Sequence, residues 1–82
     1  MSDCLGLNRA TDIVQECAGG DNDIDKTLEE VGFITDPERL VFRECVFNKV
    51  LSEGCQISRD DIPNDADTTL SDVIDTISAQ AS

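Results

Sequence analysis

Ile34-Thr35-Asp36-Pro37-Glu38-Arg39-Leu40 is where the longest helix of this chain has to begin. Thr35 and Glu38 have the Thr-x-x-Glu spacing of a capping box, and Pro37 falls in the first turn, where its missing amide hydrogen is no loss. Downstream, Leu40, Phe47 and Leu51 mark one edge of an apolar arc and Phe42, Val46 and Val50 the other, until Ser52-Glu53-Gly54 ends the pattern. An arc this wide predicts a central, mostly buried helix over residues 36–53.

Two further helices flank it. Ala10, Ile13, Val14 and Cys17 recur at helical spacing, with Leu5 and Leu7 extending the apolar side until Gly19-Gly20 stops it, which predicts a helix over 4–18. Thr69-x-x-Asp72 caps a last helix over 68–79, whose Leu70, Val73, Ile74 and Ile77 fall at i, i+3, i+4 and i+7. Between these, Thr27-x-x-Glu30 and Ser58-x-x-Asp61 are each placed to cap one short turn. No strand-like alternation and no internal repeat competes, so the expected fold is all-α: one small domain, 1–82, of three main helices with one or two short turns. The expected core is Ile13, Val14, Leu40, Val46, Phe47, Val50, Leu70, Val73, Ile74 and Ile77.

Composition narrows the function classes. With 82 residues the chain has room for one core but not for a core plus a deep cleft. Eighteen acids against six bases and no histidine leave a net charge of -12, which repels nucleic acid and anionic membranes and suits a basic protein surface. Without histidine, general base chemistry near neutral pH and imidazole-activated cysteine chemistry lose their usual partner, so no catalytic residue is assigned and the chain is not read as an enzyme. Cys4, Cys17, Cys45 and Cys55 contain no Cys-x-x-Cys pair that would hold zinc. The start of the chain carries no basic-then-apolar signal and no apolar run reaches the ~20 residues of a bilayer span, so the protein is read as a cytoplasmic monomer with four free thiols. Asp21-x-Asp23-x-Asp25 opens like a calcium-binding EF-hand loop, but Lys26 stands at the required glycine and Gly32 at the bidentate glutamate. No metal site is assigned.

Leu28-Glu29-Glu30-Val31-Gly32-Phe33-Ile34-Thr35 running into the central helix, and Thr68-Thr69-Leu70 followed by Val73, Ile74 and Ile77, resemble the acyl carrier protein family over nearly the whole chain. The resemblance implies a long first helix, a loop ending in a short turn, a central helix, a second short turn and a final helix. It also implies a phosphopantetheine attachment site three residues after Gly32, at the start of the central helix. There the family has Asp-Ser-Leu and this chain has Ile34-Thr35-Asp36, so all three positions differ. Thr35 is the degenerate attachment position and reads more simply as a helix cap. The resemblance further places partner recognition on the central helix, here at Asp36, Arg39 and Arg43, where the bases offset the acidity usual for the family. The implied partners are acyl-transfer or ligase enzymes of a biosynthetic pathway, met by a carrier or by a non-phosphopantetheinylated adaptor. A rival reading from charge alone is an acidic inhibitor, a nucleic-acid mimic that occupies a basic protein surface.

Overall fold

The computed structural model describes residues 4–82, which form four α-helices and one 3-10 turn, with no strand among the described residues. Helix α1 spans Leu7–Ala18, α2 Leu28–Val31, α3 Asp36–Ser52 and α4 Leu70–Gln80, and the 3-10 turn is Arg59–Asp61. Each of α2, α3 and α4 begins at a threonine whose side chain accepts the backbone N–H three residues on, while that residue's carboxylate reaches back to the threonine N–H. The three boxes, Thr27/Glu30, Thr35/Glu38 and Thr69/Asp72, satisfy amide groups that no helical carbonyl can reach. Ser58 makes no such bond, so the 3-10 turn stands without a side-chain cap. Helix α1 starts at Leu7 rather than residue 4, leaving Leu5 buried but Leu7 exposed.

The core is a single cluster. Ile13 and Val14 of α1, Leu28 of α2, Phe42, Val46 and Val50 of α3, and Leu70, Val73, Ile74 and Ile77 of α4 are all essentially inaccessible, joined by Leu5, Ala10, Cys55 and Ile62 from around them. Helix α1 is its centre, packing on both α3 and α4. Two expected core residues are corrected. Leu40 is 43% exposed and Phe47 is only half-buried, because α3 turns its Phe42/Val46/Val50 edge inward. Phe42 lies against Phe33, ring centroids 5.0 Å apart, while the Phe47 ring carries the Arg59 guanidinium 4.3 Å above it.

The cysteines are also corrected: they are paired, not free. Cys4 bridges to Cys55 and Cys17 to Cys45, with Cα separations of 5.9 and 5.8 Å. Helix α1 runs antiparallel to α3 and is clasped to it covalently at both ends. Two ion pairs lie between the clasps, Arg9–Glu53 at 2.7 Å and Lys49–Glu16 at 3.2 Å. Exposed pairs of this kind contribute little, so the cystines and the buried side chains carry the α1–α3 junction.

The long loops are stitched to each other through the starts of α2 and α4. Thr27 and Thr69 face one another as an antiparallel bridge, with Leu28 N–H donating to the Thr68 carbonyl at 2.8 Å and Leu70 N–H to that of Lys26 at 3.1 Å. At the other end, Gln56 and Ser82 exchange two backbone hydrogen bonds of 2.7 and 2.9 Å.

Candidate functional site

The start of α3 is built around Thr35. Its hydroxyl donates to Glu38 Oε1 at 3.0 Å and accepts the Glu38 N–H at 3.4 Å, while the same carboxylate oxygen receives the backbone N–H groups of Thr35 and Ile34 at 3.0 and 3.2 Å. These donors, the Thr35 backbone first among them, hold the Glu38 carboxyl below the usual glutamate range. Thr35 is exposed, and its hydroxyl both donates and accepts within the cap. Gly32, just before, sits at φ 126°, a conformation that side-chain-bearing residues avoid, and its N–H closes the short α2 turn onto Leu28 and Glu29 carbonyls.

Of the three residues assigned to partner contact, Asp36 alone stands fully at the surface, its side chain 87% exposed. Arg39 is buried, only 8% of it exposed, and its guanidinium donates to the carbonyls of Phe33 and Ile34 at 3.1 and 2.6 Å while pairing with Asp36. It ties the α2–α3 connection down and is withdrawn from the surface on which the family resemblance places it. Arg43 is half-buried, its Nε 3.9 Å from Glu44 and reaching no acceptor among the described residues. Lys49, turned toward α1, pairs with Glu16. Arg39 offsets Asp36 and Arg43 lies near Glu44, so the bases partly neutralise the acids of this face from within rather than standing on it.

What the outer face offers instead is apolar. Ile34, Leu40 and Val41 are 61%, 43% and 69% exposed. Val41 is the ridge between two shallow grooves: one of about 280 Å³ lined by Val31, Gly32, Phe33 and Glu38, the other of about 400 Å³ lined by Leu40, Glu44, Cys45 and Asn48. Carboxylates border both. Glu38 is spent on the cap, and Glu44 takes two hydrogen bonds from Arg59 at 2.7 and 3.1 Å, which keep its carboxyl below the usual range. Sequence reading missed Val41 although a signal was present. Leu40-Val41-Phe42 sweeps about 200° of helix, more than one buried face can take.

Among the described residues no group of three His, Cys, Asp or Glu side chains is placed to hold a metal ion, and Asp23 uses its carboxylate on the Asp25 N–H at 3.0 Å. No helix of the described residues is long and apolar enough to cross a membrane. Comparison with protein-family models, with curated proteins and with solved structures finds no match to this chain.

Thr35→Ala is expected to lower stability by about 1 kcal/mol, the usual contribution of a threonine cap, read as a fall in denaturant midpoint at neutral pH. Because the Glu38 pKa is lowered on folding, the ionised box stabilises above the ordinary glutamate value and loses that contribution as pH falls through the lower folded value. The gap between wild type and variant should therefore narrow in acid.

Proposed function

We propose that this domain is a divergent, acyl-carrier-like protein that serves as a non-phosphopantetheinylated adaptor, docking through the outer face of α3 to a basic protein partner of a biosynthetic assembly. The observation that carries the reading is the exposure of Ile34, Leu40 and Val41 at the start of α3, with a groove on either side of Val41 that Glu38 or Glu44 helps to line. A partner presenting apolar side chains on a basic surface matches this face: the carboxylates of Asp36, Glu38 and Glu44 are engaged by Arg39, the Thr35 cap and Arg59, and the attraction for a basic surface comes from the net charge of -12. The order of elements, with a short turn before α3 and another before α4, is the order that the family resemblance implies. Thr35 fits attachment poorly: its oxygen is occupied by Glu38, its methyl crowds in-line transfer, and the Asp36 carboxylate repels a pyrophosphate donor. The two cystines overturn the free thiols and fit an oxidising compartment better than the cytoplasm.

One observation favours the rival reading, the acidic mimic. The Thr27/Thr69 bridge sets residues 21–30 beside residues 65–72, which brings exposed Asp25, Glu29, Glu30, Asp65, Asp67 and Asp72 onto one acidic end. That end lies on the loops, whereas the adaptor reading uses α3.

The test is incubation with coenzyme A and a broad-specificity phosphopantetheinyl transferase, followed by intact-protein mass spectrometry. The natural protein should stay unmodified, and the variant with Asp-Ser-Leu in place of Ile34-Thr35-Asp36 should gain the arm. Modification at Thr35 would make the protein a true carrier. Failure of the restored triplet would remove the carrier-like surface and leave the acidic mimic.

A further inference from the structure

Cys45 lies in the wall of the larger groove, beside Leu40, Val41, Glu44 and Asn48, and is bonded to Cys17 on α1. Both cysteines are half-buried; in the other cystine Cys55 is sealed at 2% exposure and Cys4 is exposed, but neither groove on α3 takes in Cys4 or Cys55. Helix α1 meets α3 along the Cys45, Lys49 and Glu53 stripe, through the cystine and two ion pairs. The groove opens on the Val41, Glu44 and Asn48 side of the same helix. A molecule in the groove thus approaches Cys45 from the side away from Cys17.

We propose that the Cys17–Cys45 disulfide is a thiol-exchange site, at which a neutral or cationic thiol with an apolar stem, seated in the groove on α3, becomes bonded to Cys45. The incoming thiolate attacks Cys45 Sγ; the new S–S bond forms as the old one breaks, and the electron pair leaves on Cys17, which then takes a proton from solvent. The number of disulfide bonds is unchanged, so no further oxidant or reductant enters. Cys17, with its Cα 5.8 Å from that of Cys45, stays in place to reverse the step and release the thiol. Apolar stems are selected by Leu40 and Val41. Anionic thiols are disfavoured by the net charge of -12 and, in the lining, by the Glu44 carboxylate, whose charge Arg59 partly offsets. This site is independent of Thr35, but it shares Leu40, Val41 and Glu44 with the docking face proposed above, so a seated thiol and a docked partner compete for it.

Two measurements test it. The Cys17→Ser protein, which keeps Cys4–Cys55 and exposes the Cys45 thiol to the groove, is mixed with cystamine or with oxidised glutathione, and adduct formation is followed by mass spectrometry. Glutathione should react roughly tenfold more slowly, as repulsion between like charges a few ångströms apart in a partly solvated groove requires. The Cys45→Ser protein, whose free Cys17 lies outside the groove, should prefer cystamine less. In parallel, the oxidised wild type is held with excess butanethiol, quenched in acid and peptide-mapped, which needs no variant to fold. The butyl group should sit on Cys45 with Cys17 free. Equal rates with cystamine and glutathione, or a wild-type adduct absent or located on Cys4, Cys55 or Cys17, would overturn the proposal.

Discussion

Reduction of both disulfides should lower the melting temperature of this domain more than any single side-chain truncation. Cys4–Cys55 spans 51 residues and Cys17–Cys45 spans 28, and closing loops of those lengths in the unfolded chain corresponds to about 4 and about 3.6 kcal/mol. Small domains hold only about 5–15 kcal/mol in total, so loss of both clasps removes a large part of it. For a domain of this size each should shift melting by about 15 °C or more. Thermal unfolding followed by circular dichroism with and without a dithiol reductant reads the effect directly. A reduced protein melting within a few degrees of the oxidised one would mean that buried side chains alone hold α1 against α3.

Phe42→Ala should be the most damaging truncation on α3, at roughly 3–5 kcal/mol. Phe42 is 1% exposed, packs on Phe33 and lies in the same inward stripe as Val46 and Val50, so its removal leaves a cavity in the core. Phe47→Ala provides the comparison. That ring is half-buried and covered by Arg59, so its loss should be about half as large: partial burial plus a cation–π contact worth about 0.5–1 kcal/mol. Denaturant midpoints of the two variants, measured with disulfides intact, rank them. If Phe47→Ala were the costlier change, α3 would be rotated from the orientation described above.

The Phe42/Phe47 contrast shows where sequence reading stops. Both phenylalanines sit on edges of one wide apolar arc, and periodicity alone makes either edge a candidate for the core. The choice is made by what docks: Phe33 from the α2–α3 connection meets Phe42, and Arg59 from the 3-10 turn covers Phe47. Neither contact has a signature in spacing. Once the Phe42 edge turns inward, Leu40 and Val41 are left outside, and the grooves on which the function is proposed exist because of that rotation.

Read from the amino acids alone, the three capping boxes, the starts of α2, α3 and α4, and the inward stripe of α4 are all recoverable. Each depends on residues three or four apart, whose contacts are set by the geometry of one helical turn. Thr35 belongs to this class; its role as a cap follows from Glu38. Arg39 does not. Its place on the helix is legible, but its burial against the carbonyls of Phe33 and Ile34 depends on how the preceding turn folds back over α3. The cysteines lie further still from local reading. Four of them permit three pairings or none, and only the antiparallel packing of α1 on α3 brings Cys17 to Cys45 and Cys4 to Cys55. Local hydrogen bonds decided where α2, α3 and α4 begin. Long-range packing decided which faces stay open, because that choice is made between elements and not within them.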